Sequence, residues 1–111
     1  MQLYGLKNCD TCKKALKTLA AADISVEYFD VRADGVPVAE LKEFLKFFGD
    51  KLVNTRSTTW RGLSDDERAK PQLALLQENP TLMKRPVIRH DGALFLGWTA
   101  DVQHSLLGDQ A

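Results

Sequence analysis

The sequence predicts an α/β fold, and three observations carry the prediction. A strand, helix, strand pattern fills about the first thirty residues, the length of a βαβ unit. Two short apolar runs flank Asp91-Gly92 and lead into a last helical stretch. The residues between these two halves show helical periodicity and no strand.

Gln2 to Gly5, with Leu3 and Tyr4, suits a short buried strand that Gly5 ends. After a polar turn, Cys12, Ala15, Leu16, Leu19 and Ala20 recur at helical spacing, so a helix running to about Ala22 turns one stripe to the core. Ser25 to Asp30 has the period-two pattern of a second strand, parallel to the first and joined to it by a right-handed crossover. After Val31 the texture changes. Asp34-Gly35-Val36-Pro37 is a turn with Pro at a helix start, and Val38, Leu41, Leu45 and Phe48 repeat at helical steps. Leu52 to Arg61 is polar and rich in hydroxyls, Ser64-Asp65-Asp66-Glu67 opens a helix as a capping box, and Pro71 to Glu78 stays helical until Asn79-Pro80. Residues 31–85 should therefore hold about three short helices. With no flexible linker on either side, they read as a helical insertion, residues 33–83 or so, in one domain spanning 1–111. Asp-Gly between Val87–His90 and Ala93–Leu96 marks a β-hairpin, and Thr99 caps a final helix with Val102, Leu106 and Leu107 on one side.

Composition narrows the function. Fifteen basic residues balance fifteen acidic ones, which argues against a dedicated nucleic-acid or membrane surface. The start of the chain lacks a charged region followed by an apolar run, and no segment reaches membrane-spanning length, so the expected compartment is the cytoplasm. In that reducing setting Cys9 and Cys12 are reactive or metal-binding rather than a structural staple. Metal binding is the weaker option, because a second Cys/His pair is missing and His90 and His104 do not supply ligand spacing.

Cys9-Asp10-Thr11-Cys12 lies between a strand and the first turn of a helix, where free backbone N–H groups and the helix dipole favour a thiolate. Such a pair beside a βαβ pattern reads as a thioredoxin-like redox motif. Cys9 falls outside the apolar stripe and should be accessible; Cys12 lies on it and should be partly covered. Lys7, Lys13 and Lys14 add positive charge, and Asp10 opposes them. Cys9 is thus the candidate nucleophile. Cys12 is either a resolving thiol or a small core residue. Thr11 either donates to the thiolate or supports the first helical turn. Arg56 and Arg85, in polar loops, are candidates to hold an oxyanion or a glutathione carboxylate, with Arg61 behind them. Pro86, opening a strand after Arg85, is a candidate cis-proline.

The stretches Tyr4 to Ala15 (YGLKNCDTCKKA), Val31 to Gly35, Leu52 to Arg61 (LVNTRSTTWR), and Lys84-Arg85-Pro86-Val87 with Leu96-Gly97 resemble, in order and over nearly the whole chain, the arsenate reductase-like (ArsC/Spx/YffB) family of thioredoxin-fold proteins, and its YffB-type branch above all. The resemblance implies a thioredoxin-like fold, βαβ then a helical insertion then ββα, with a four-stranded mixed sheet. It implies Cys9 as catalytic cysteine, Arg56 and Arg85 as groups that bind the anion or thiol substrate, and Pro86 as the cis-proline of the fold; Cys12, a second thiol that the YffB-type loop lacks, stays beside Cys9 as a catalytic candidate, and Lys7, Asn8 and Thr11 of the same loop complete the candidate substrate-binding set. The activity implied is glutathione-dependent thiol–disulfide reduction, with no bound cofactor, glutathione as co-substrate, glutaredoxin as a further partner, and a monomeric state. Two alternatives come with the family. One is arsenate reduction with glutathione and glutaredoxin, for which three arginines hold the oxyanion; Arg56 and Arg85 match two, and the third falls near Gly97-Trp98, where no arginine stands. The other is a Spx-like redox-sensing regulator that binds RNA polymerase and uses a Cys9–Cys12 disulfide as its switch.

Overall fold

In the computed structural model, which describes residues 1–108, the elements run β1 (Gln2–Gly5), α1 (Asp10–Ala21), β2 (Glu27–Asp30), α2 (Val38–Phe48), α3 (Thr58–Arg61), α4 (Asp65–Arg68), α5 (Gln72–Glu78), β3 (Val87–His90), β4 (Ala93–Leu96) and α6 (Ala100–Leu107), with 3₁₀ turns at Gly49–Leu52 and Pro80–Leu82. They form two compact units. One joins Met1–Asp30 to the chain from Arg85 onward; the other is Val31–Lys84.

The first unit is built on a mixed four-stranded sheet in the order β2-β1-β3-β4, the α/β architecture expected from the sequence. β1 is central, parallel to β2 and antiparallel to β3, and β3 pairs antiparallel with β4. Successive side chains of a strand point to opposite faces, so the burial of both Leu3 and Tyr4 shows that β1 is shielded on both sides. On one face Leu3 and Ile88 pack with Ala15 and Leu19 of α1 and with Val102, Leu106 and Leu107 of α6. Tyr4 stacks on Phe29 of β2, centroids 5.0 Å apart. The register Tyr4↔Val87 sets the end of β1 beside the start of β3, and this brings Arg85 to the same end of the sheet as the loop after β1.

Local chemistry closes each element. Asp23, at φ 60°, ends α1 in the left-handed conformation that Asp tolerates better than most residues. Asp91 and Gly92, at φ 50° and 82°, are both left-handed, as a two-residue type I′ hairpin requires. Thr99 Oγ1 accepts the Val102 N–H at 3.3 Å and starts α6.

Gly5 is needed for a different reason. A Cβ there would lie 2.7 Å from Cys12 Sγ, 3.2 Å from Cys12 Cβ and 3.3 Å from Leu3 Cδ2. Gly5→Ala should therefore destabilise the protein by about 1–3 kcal/mol, the cost of overpacking a close-fitted site. Urea denaturation should show a lower midpoint with an unchanged slope, and an unmoved midpoint would mean that α1 is not seated against β1 in this way.

The second unit holds four short helices where the sequence suggested about three. The extra one is α3, inside the hydroxyl-rich stretch. Ser57 Oγ accepts the Trp60 N–H at 3.2 Å and donates to the Asn54 carbonyl at 2.8 Å, so a residue read as loop is an N-cap. Ser64 and Glu67 form the expected capping box, their reciprocal bonds 3.1 and 3.2 Å long. Arg68 then ties α4 to α3: its guanidinium stacks over Trp60 at 5.4 Å and donates to the Trp60 and Arg61 carbonyls. A bridge between Val53 and Met83, flanked by Asn54 N–H to Leu82 carbonyl (2.8 Å) and Lys84 N–H to Leu52 carbonyl (2.7 Å), closes the unit without a full strand.

Candidate functional site

The loop after β1 is tied down by backbone bonds before any side chain is considered. Cys9 N–H donates to the Leu6 carbonyl at 3.1 Å, and Lys7 N–H donates to Asp30 Oδ2, at the end of β2, at 3.2 Å. Cys9 is left as the N-cap of α1, extended at φ −88° and ψ 117°, and its carbonyl accepts the Lys13 N–H at 3.0 Å. A residue in this position faces the orphan N–H groups of the first turn. Cys9 closes no capping hydrogen bond of ordinary geometry, but the Cys12 N–H is directed at its sulfur and favours the thiolate.

The two thiols are both free and lie in opposite environments. Cys9 is half-buried. Its partial burial pushes the thiol up, and this is outweighed by the Cys12 N–H, the Cys12 thiol, and the hydrogen bond and charge of Arg85, so that Cys9 ionises below the ordinary thiol value. Cys12 is fully buried, more deeply than its place on the apolar stripe suggested, because the missing Cβ of Gly5 lets its sulfur press against β1. Burial, together with the neighbouring Cys9 thiolate, pushes Cys12 up to about 12 against the pull of the Leu6 backbone and Arg85. The pair is therefore one reactive sulfur and one that stays protonated and donates a hydrogen bond to it.

Of the residues singled out from the sequence, Cys9, Cys12 and Arg85 come together. Arg85 is half-buried and precedes a cis peptide bond to Pro86. Pro86 is buried, and its carbonyl accepts the Gly97 N–H at 2.8 Å, which fixes the chain entering β3 to the end of β4. Lys7 and Asn8 are exposed in the loop, and Thr11 is exposed at the second helical position, where its hydroxyl makes no hydrogen bond among the described residues. Arg56 belongs to the second unit. It is exposed, and its N–H donates to Asn54 Oδ1 at 3.1 Å in an Asx turn. The sequence reading missed three supports of the site: the Gly5 clearance, the Leu6 carbonyl and the Asp30 carboxylate. Only Gly5, placed directly before the cysteine loop, carried a signal.

The chain has relatives among known proteins. The profile of the ArsC family matches residues 4–104. A protein of Haemophilus influenzae, itself uncharacterised, is 48% identical over 103 residues, covering 86% of this chain and 89% of its own. The global transcriptional regulator Spx of Staphylococcus epidermidis is 30% identical over 105 residues, covering 89% of this chain and 80% of its own. The solved structure of a YffB protein superposes with a TM-score of 0.89 at 28% identity, over 96% of this chain and 98% of that one.

Proposed function

The chain belongs to the ArsC family and shares its thioredoxin-like fold, and from that premise we propose that it is a glutathione-dependent thiol–disulfide reductase with Cys9 as the nucleophile. The observation that supports this reading best is the Cys9 sulfur at the start of α1, ionised more readily than a free thiol and hydrogen-bonded by Arg85.

In the proposed cycle the Cys9 thiolate attacks the glutathione sulfur of a mixed disulfide. A bond forms between Cys9 and glutathione, the substrate's disulfide bond breaks, and the substrate leaves as a thiolate that takes a proton from water. The thiolate of a second glutathione then attacks the adduct, returning Cys9 as a thiolate and releasing oxidised glutathione. The net change is mixed disulfide plus one free glutathione giving substrate thiol plus oxidised glutathione: one disulfide is broken and one is formed. Cys12 suits a supporting role in this cycle. Formation of the adduct removes the Cys9 charge that helps to hold the Cys12 proton, but the burial remains, and an external thiol reaches the half-exposed Cys9 more readily than a buried one ionises. Lys7, Asn8, Thr11, Arg56, Arg85 and Pro86 are the proposed substrate-binding set, glutathione the proposed co-substrate, and the cytoplasm the proposed compartment.

Cys12→Ser should keep most of its turnover, since serine fits the same slot and can also donate. Cys12→Ala should lose about threefold to tenfold, because losing a hydrogen bond to a charged sulfur, worth about 1.5–3 kcal/mol, raises the Cys9 midpoint by about one to two units and the more basic thiolate recovers part of the rate. The check is turnover of a glutathionylated substrate followed through oxidised glutathione. A Cys12→Ser variant that accumulates a glutathione adduct on Cys9 in the presence of free glutathione would instead assign Cys12 the resolving step.

A second reading has an observation of its own: Spx, a relative at 30% identity, is a global transcriptional regulator, and two thiols as close as Cys9 and Cys12 suit an oxidant-formed disulfide. Absence of turnover with every thiol substrate, joined to RNA polymerase binding that changes with Cys9–Cys12 oxidation, would select it. Arsenate reduction is the weaker enzymatic alternative, since Gly97 and Trp98 stand where a third oxyanion-holding arginine would fall.

A further inference from the structure

Helix α1 carries a row of cations away from the core and next to Cys9. At about 3.6 residues per turn, Cys12, Ala15, Leu16 and Leu19 make its inner side, and Lys13, Lys14 and Lys17 centre its outer side together with Asp10. All three lysines are exposed, and so is Lys7 in the loop before Cys9. Among the described residues none of these four ammonium groups is in an ion pair. Even Asp10 and Lys14, spaced four apart on one helical face, stay separate.

A solvated helix face is the ordinary explanation for exposed lysines, and two facts count against it. Cations support a helix in its last turn, yet the last turn of α1 has no basic residue, so Lys13, Lys14 and Lys17 gain nothing from the dipole where they stand. The chain as a whole is also neutral, so four cations against one acid between Lys7 and Lys17 are a local concentration rather than a sample of a basic protein. From Cys9 to Lys17 the ridge runs about 12 Å at 1.5 Å per residue. That spans about four residues of extended chain.

We propose that this ridge is a docking surface for an acidic polypeptide segment, and that it steers a glutathionylated cysteine on that segment to Cys9. The inference rests on the thiol reductase reading and adds the class of substrate, acidic protein mixed disulfides. Complementary charge raises the encounter rate and fixes which side of the partner meets the sulfur. Because the lysines are exposed, salt weakens the effect, the screening length being about 10 Å at 0.1 M. The covalent step is unchanged: the Cys9–glutathione bond forms, the partner's disulfide breaks, and the partner leaves as its thiol.

The test uses three labelled peptides of one length, each with a single glutathionylated cysteine, flanked by acidic, amide or basic residues. Binding is read by fluorescence anisotropy on Cys9→Ser protein, where no exchange occurs. The acidic peptide should bind at least tenfold more tightly than the amide one at low salt, and the advantage should vanish at high salt. It should pass to the basic peptide in K13E/K14E/K17E. In a Cys9-containing protein, the ratio of kcat/KM for acidic over amide peptide should fall at least tenfold in the milder K13Q/K14Q/K17Q; taking a ratio cancels any general change in Cys9 reactivity. Equal binding of acidic and amide peptides to the unaltered ridge overturns the proposal. A protein that turns over neither peptides nor the cysteine–glutathione mixed disulfide, yet prefers the acidic peptide, keeps the docking surface and refutes the reductase reading instead.

Discussion

Cys9→Ser should abolish turnover of glutathionylated substrates while leaving the protein at least as stable as before. Removing a covalent nucleophile from a site that acts as a unit costs about 10³-fold or more, since the serine hydroxyl neither ionises near neutral pH nor exchanges with a disulfide. Stability should move the other way. Cys9 is the N-cap of α1 and closes no ordinary capping bond, whereas serine is among the preferred N-cap residues. A gain of up to about 1 kcal/mol is expected, the usual worth of a good cap. A coupled glutathione reductase assay read beside thermal denaturation separates the two effects. Residual turnover near that of the unaltered protein would remove Cys9 from the chemistry, and a large loss of stability would make the activity loss uninterpretable as chemistry and contradict the N-cap geometry.

Arg85→Ala should change the pH dependence of Cys9 rather than simply lower its rate. Arg85 pulls the thiol down through a hydrogen bond and through its charge. A hydrogen bond to a charged group is worth about 1.5–3 kcal/mol, and about 1.4 kcal/mol moves a pKa by one unit, so the midpoint should rise by about one to two units. Below both midpoints the thiolate fraction falls with each unit, but a more basic thiolate is also more nucleophilic, with a Brønsted slope of about 0.4–0.5. The net loss in alkylation rate below both midpoints is then about threefold to tenfold. Above both midpoints the sign reverses and the variant should react faster, so the two profiles must cross. Arg85→Lys should fall between them, keeping the charge without the planar fork. Profiles that do not cross would show that Arg85 leaves the thiolate untouched.

The parts of the fold legible in the sequence are those whose signals are local. Leu3 and Tyr4, the stripe Cys12, Ala15, Leu19, and the Asp91-Gly92 turn each declare their element within a few residues, and the structure places a strand, a helix and a hairpin there. Ser64 to Glu67 and Thr99 were readable as caps for the same reason. The α3 turn was not, because four residues are too few to show a period and its cap, Ser57, is one hydroxyl among several. Cys9 was recognisable from its place before a helical stripe, but the depth of Cys12 was not, since it depends on an atom that Gly5 lacks. Arg85 lies far from Cys9 in sequence. Only the antiparallel register of β3 on β1 makes them neighbours, and that register is a property of the folded sheet.

Everything proposed for this site depends on an unequal ionisation of two sulfurs one helical turn apart. Alkylation of each cysteine as a function of pH, resolved by peptide mass spectrometry on the native protein, measures it directly. Cys9 should be modified with a midpoint below the ordinary thiol value of about 8.5, and Cys12 should remain unmodified throughout that range. If Cys9 titrates at or above that value, or the two cysteines are modified together, the sulfur is not held as an anion and the proposed chemistry has no origin.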